Sequence, residues 1–307
     1  MFVGIDVVDL RDPRAAGKAG DERFVARVLS TQEAAWVRAA AAEGGRTTPA
    51  AADLRLWCLW AAKEAAFKTA SRMLGGPPPF HHAAFRVELP AARAEPASTA
   101  AAAGEEASPG APRTHTAGAD AAAEAHRSPL LWPGGRSLVT HGGLTMAVAF
   151  DVSPERVVAL AWTAAGGAHA PGGSPPDPPP DLHWGVEAAA LPGDGDRAAF
   201  EAFTAAHFDA AERPAVHSPA SAAVRLAARR GVSRALGMDE REVRFPAAEG
   251  HRSGRTPPVV AVAGHERPDL CVSLSHHGRW VAWALVGCEP DGGADPGGPA
   301  RLRKAGS

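Results

Sequence analysis

The sequence predicts an α+β fold that is pseudo-duplicated, each half a small sheet packed on a long helix. Three observations carry this expectation. Residues 54–74 and 218–236 are long helical patterns that each stop at a glycine. Each is followed by short apolar and alternating runs of the kind that form strands. Between them lie two stretches dominated by small and polar residues, 91–128 and 163–181, with too few large apolar side chains to offset the entropy of ordering. The expected division is therefore 1–162 and 182–288, with 91–128 a disordered insertion, 163–181 a Pro/Gly-rich linker and 289–307 a disordered tail.

In chain order, residues 2–10 (FVGIDVVDL) form a β-branched and apolar run holding an acid, which predicts a strand with Asp6 near its end. Residues 21–42 read as a helix interrupted near Ser30, where Ser30 or Thr31 followed by Glu33 makes a fresh N-cap. The long helix at 54–74 stops at Gly75-Gly76 and three prolines. Strands are expected at 85–89, 137–140, 144–152 and 156–162. The second half gives a strand and turn at 184–191, an amphipathic helix at 196–208 and the helix at 218–236. On that helix Val224, Ala227, Ala228, Val232 and Leu236 make the apolar side, and Arg225, Arg229, Arg230 and Arg234 its basic complement. Strands follow at 242–245, 259–262, 270–275 and 280–286.

A formal net charge of -2 over 307 residues offers no global attraction for nucleic acid, so any basic site is local. Cys58, Cys271 and Cys288 lack metal-ligand spacing, and their odd number argues against a disulfide framework. No apolar run reaches the roughly 20 residues that span a bilayer, and Asp6 and Asp9 come too early for a signal peptide. These features predict a soluble, cytoplasmic protein.

Three clusters can carry chemistry. Asp6 with Asp9 places carboxylates at a buried strand, where they need a partner, a cation or a capping role. On the long helix, Lys63, Glu64 and Lys68 interrupt an apolar run; Glu64 and Lys68 read either as a solvated i, i+4 pair or as functional charges, with no polar face around them. In Ser273-Leu274-Ser275-His276-His277-Gly278-Arg279, a strand ending in Ser and His offers donors to a ligand or caps its own turn. His81-His82, without further ligands at zinc-site spacing, reads as incidental. No Gly-x-Ser-x-Gly elbow supports a serine hydrolase.

Together these segments resemble the 4'-phosphopantetheinyl transferase superfamily, both the small holo-acyl-carrier-protein synthases and the two-half enzymes of the surfactin-synthetase type. GIDVVDL is similar to the family's Gly-Ile/Val-Asp motif, RFVARVLSTQE to its Arg-Phe helix, and WAAKEAAFK to Trp-x-x-Lys-Glu-x-x-x-Lys. VSLSHHGRWVAWAL resembles the Ser-His strand of the N-terminal half of the two-half enzymes. VRLAARRGVSRALGMDEREVRFP and Gly254-Arg255-x-Pro257 look like that half's helix and its Gly-Lys/Arg-Pro loop. The order of the halves is reversed here. Val8 stands where the two-half enzymes carry an acid, and the next acid is Asp9, as in the small synthases.

The resemblance implies Mg2+-dependent transfer of the phosphopantetheine arm of coenzyme A onto a serine of an apo carrier protein. It assigns Asp6, Glu64 and, more distantly, Asp9 to the metal. Glu64, Lys68 and Lys63 become catalytic, the lysines against phosphate oxygens and Glu64 also helping to deprotonate the acceptor serine. Ser275, His276, Arg255 and Lys68 would contact coenzyme A. Arg14, Arg23 and Arg27 would meet an acidic carrier helix, and a pseudo-duplicated chain completing its own site implies a monomer. The alternative is a non-catalytic module that binds coenzyme A or a carrier protein.

Overall fold

The computed structural model describes residues 1–42, 49–90, 135–163, 174–189, 196–247 and 257–287. The expected insertion, residues 164–173 of the expected linker, Arg255 and the expected tail lie outside the described residues.

Strand β1 (Val3–Asp9) is buried along its whole length. It edges an antiparallel sheet ordered β1-β5-β4-β3-β2, with β2 (Arg86–Val87), β3 (Arg136–His141), β4 (Leu144–Val152) and β5 (Arg156–Trp162). Helices α1 (Glu22–Val28), α2 (Thr31–Ala42) and α3 (Pro49–Met73) share one apolar core with this sheet. The break between α1 and α2 falls where expected. Ser30 accepts from the Glu33 N–H at 3.3 Å while Glu33 accepts from the Ser30 N–H at 2.7 Å, a reciprocal cap. Helix α3 starts a turn earlier than expected, at Pro49. It ends in a Schellman turn, with Gly75 left-handed and the Gly76 N–H bonded to the Ser71 carbonyl at 2.9 Å.

In the second half, β6 (His183–Ala188), β10 (Leu270–His277) and β11 (Trp280–Gly287) form a sheet ordered β10-β11-β6. A small sheet holds β7 (Val243–Arg244), β8 (Ala261–Val262) and β9 (His265–Glu266), the last not foreseen in the sequence. Helix α4 (Arg197–His207) precedes α5 (Pro219–Leu236), which packs on both sheets. Gly237 closes α5, as the sequence predicts, and Ser218, expected as its first residue, is the N-cap. The architecture is thus mixed α+β with small antiparallel sheets. No helix among the described residues is long and apolar enough to cross a membrane.

Three expectations are corrected. Asp6 lies in the middle of β1, not near its end. Strand β10 continues past the expected end at Ser275 to His277, so His276 and His277 are strand residues and the turn begins at Gly278. Arg229 is not part of a solvated basic face: it is buried against Glu212, donating to both carboxylate oxygens at 2.9 and 2.8 Å.

Strand β10 packs along the edge of β1 to which, among the described residues, no strand is hydrogen-bonded through its backbone. Alternate residues of an edge strand aim their N–H groups outward, and buried ones need acceptors. Here the N–H groups of Val3, Ile5, Val7 and Asp9 donate to Cys271 Sγ (3.3 Å), Ser273 Oγ (3.0 Å), Ser275 Oγ (3.3 Å) and His277 Nδ1 (3.0 Å). Side chains of one strand thereby replace the backbone ladder of another. Apolar residues of both halves, among them Ile5, Leu160, Trp162, Cys271 and Ala284, close the core behind this seam.

Each half also holds a buried acid with the same set of partners. Glu33 accepts from Lys63 on α3 (2.7 Å) and from the Val87 N–H (3.0 Å), and Lys63 also donates to the Val28 carbonyl ending α1 (3.2 Å). Glu212 accepts from Arg229 on α5 and from the Phe245 N–H (2.9 Å), and Arg229 donates to the His207 carbonyl ending α4 (3.1 Å).

Candidate active site

Helix geometry builds one wall. Glu64, Phe67, Lys68, Ser71 and Arg72 recur at i, i+3, i+4, i+7 and i+8, a single stripe, and all face a cleft of about 400 Å³ between the halves. Ser221, Val224 and Arg225 of α5 and Val272, Ser273, Leu274 and His276 of β10 complete much of its lining. The approach of β1 to α3 depends on Gly4, where a Cβ would fall 2.0 Å from the Ala65 carbonyl oxygen. Two residues on, Asp6 thereby comes against the functional stripe.

Lys68 Nζ donates to Asp6 Oδ1 at 2.9 Å and to the Ile5 carbonyl at 2.7 Å. Burial pushes the Asp6 carboxyl up; Lys68 opposes that, and the nearby Glu64 charge adds to it. Ser275 Oγ donates to the same Asp6 oxygen at 2.7 Å. Glu64 Oε1 lies 3.0 Å from His82 Nε2.

The cleft is locally basic in a weakly acidic chain. Lys68, Arg72 and Arg225 line it against Glu64, with His217 and His276 beside them. Arg225 is held below its ordinary pKa by burial, and its Nε has no hydrogen-bond partner among the described residues. A half-buried guanidinium with an unpartnered, enclosed Nε fits an anion. The His276 imidazole is lowered to about 4, first by burial and then by Lys68, His217 and Arg225, although the residue as a whole is exposed.

Several expected site residues stand elsewhere. Lys63 is fully buried, its ammonium enclosed by Glu33, the Val28 carbonyl and the His82 carbonyl, so it ties α3 to its neighbours instead of lining the cleft. Asp9 faces the β10–β11 turn, accepting from the Arg11 N–H at 2.9 Å and the Arg279 N–H at 3.0 Å. Ser275 is spent on Asp6 and the Val7 N–H. Of the expected set, the structure brings together Asp6, Glu64, Lys68, His276 and, bonded to Asp6, Ser275. Sequence reasoning missed Arg72, Arg225, His217 and His82. The helical stripe running from Glu64 would have reached Arg72, but nothing local marks the others.

Among the described residues no group of three or more His, Cys, Asp or Glu side chains can hold a metal ion alone. Asp6 and Glu64 are nevertheless hard oxygen donors placed close enough for one charge to raise the other's pKa. Such a pair fits Mg2+, which takes one or two carboxylates and fills its octahedron with water and substrate phosphate.

Residues 2–107 match the model of the 4'-phosphopantetheinyl transferase superfamily. This stretch contains β1, α1 to α3 and β2, and so Asp6, Glu64 and Lys68. The match covers about the first third of the chain. Among curated proteins, none matches the chain.

Proposed function

We propose that the protein is a 4'-phosphopantetheinyl transferase that moves the phosphopantetheine arm of coenzyme A onto a serine of an apo carrier protein. One observation carries the reading: Glu64 and Lys68 line a basic cleft between α3 and the α5–β10 side, and Lys68 is bonded to the buried Asp6 behind it.

In the proposed reaction the serine oxygen bonds to the phosphorus bearing the pantetheine arm, and the bond to the bridging pyrophosphate oxygen breaks. Adenosine 3',5'-bisphosphate leaves. Lys68, Arg72 and Arg225 would neutralise phosphate oxygens, and the N–H of neutral His276 would donate a hydrogen bond there. Glu64 would accept the proton of the acceptor serine, directly or through water. Asp6 and Glu64 would hold Mg2+, which when bound supplies charge neutralisation on the pyrophosphate.

The division into halves 1–162 and 182–288, read as two copies of one unit in reversed order, belongs to this proposal. Its support is the matching buried acids. Val28, Ser30 and Glu33 are spaced as His207, Asp209 and Glu212 are, and Ser30 and Asp209 each accept from the N–H of the acid three residues on. Carrier recognition is assigned to exposed Arg23 and Arg27 on α1, beside a groove that also holds Arg38; Arg14 is paired with Asp12 at 2.7 Å.

The test is incubation with coenzyme A, Mg2+ and a panel of apo carrier proteins, followed by mass spectrometry of the carriers. Phosphopantetheine attachment supports the reading. Coenzyme A binding without attachment favours a binding module, and absence of both rejects the proposal.

A further inference from the structure

Glu64 must present its carboxylate across three rotatable bonds from a half-buried edge of the cleft, and such a side chain is useful only if its rotamer is restricted. The restriction comes from His82. Its ring stacks on Trp60 at 4.2 Å and lies against Phe80 at 4.1 Å. Those rings are in turn packed on Phe24 (5.5 Å) and Phe67 (4.1 Å), giving a continuous aromatic column along α3. The His82 carbonyl accepts from the buried Lys63 ammonium at 3.1 Å. Both the ring and the backbone of residue 82 are therefore fixed, and Nε2 is aimed at Glu64 Oε1 at 3.0 Å. Among the described residues no hydrogen bond falls on Glu64 Oε2, which leaves that oxygen for a ligand.

We propose that His82 is a positioning residue that holds the Glu64 carboxylate for the divalent cation and the acceptor serine. This rests on the transferase reading. Lys63 then acts through His82, since it fixes the carbonyl of the residue whose ring fixes Glu64.

The experiment compares wild type with His82→Phe, which keeps the stacked ring and removes Nε2, and His82→Gln, which restores an amide donor. Thermal melts check the fold. Binding of Mn2+ alone, read by loss of its free electron paramagnetic resonance signal, is followed beside transfer kinetics. His82→Phe should melt with wild type, lower kcat about 10- to 100-fold with the KM for coenzyme A nearly unchanged, and weaken Mn2+ binding about tenfold. His82→Gln should recover part of both. A His82→Phe protein with wild-type kcat and Mn2+ affinity overturns the inference, as does a wild type that binds no Mn2+ or a pair of variants whose losses both follow unfolding. Mn2+ binding that depends on His82 in a protein inactive toward every carrier would keep the inference and discard the transferase.

Discussion

Ser275 Oγ donates a 2.7 Å hydrogen bond to Asp6 Oδ1, joining the second half's Ser-His strand to the first half's acid. If Ser275 serves Asp6 and not coenzyme A, Ser275→Ala should lower kcat about tenfold or more through a loosened carboxylate, while the KM for coenzyme A stays near wild type. Ser275→Thr, which keeps the hydroxyl, should recover most of the loss. A rise in KM with kcat unchanged would instead mark a direct substrate contact.

The rung next to it tests the seam. Ser273 Oγ accepts the Ile5 N–H, and both residues are buried. Ser273→Ala leaves that donor without an acceptor, at a cost of about 1–3 kcal/mol. Urea unfolding should show the loss. Hydrogen exchange should show it selectively at the Ile5 amide, with the N–H groups that face β5 keeping their protection.

How far the sequence reached depends on whether a signal is local. The helices from Ser218 and to Gly75, the Ser30 cap and strands β3 to β5 were legible because caps, stop residues and period-2 patterns act within a few positions. Asp6 and Glu64 were legible because a short motif holds each. The fates of Lys63, Ser275 and Asp9 were not, since each depends on a partner between 30 and 270 positions away, at Glu33, Asp6 and Arg279. A lysine beside Glu64 looks like part of the site in one dimension. In the fold the two point to different surroundings, one dry and one open, because neighbours on a helix are about 100° apart.

That contrast predicts different losses for the two lysines of the motif. Lys63→Met strands Glu33 as an unpaired buried acid and should cost about 3–5 kcal/mol of stability in denaturant unfolding. The double variant Glu33→Gln with Lys63→Met should regain much of it. Lys68→Met should leave unfolding much less affected and remove transfer. A Lys63→Met protein with wild-type stability and no transfer would return Lys63 to the site.

His276 supplies a test in pH. Its folded pKa, lowered to about 4, lies below the ordinary value of 6.5, so between those values the unfolded chain binds more protons than the native one. The contribution to stability is then complete above about 6.5 and is lost as pH falls toward 4. Nitrogen-15 spectra of the imidazole should show the ring neutral at pH 7 and titrating well below 6.5. Arg225→Met, which removes one of the positive charges acting on it, should raise that pKa. Adenosine 3',5'-bisphosphate should raise it further, because an adjacent anion favours the charged imidazole, and binding near pH 6 should take up protons. Such uptake appears as a binding heat that changes with the ionisation enthalpy of the buffer. A ring that titrates at 6.5 or above in the free protein would mean that the cleft walls and their cations do not act on His276, and would remove it from the anion site.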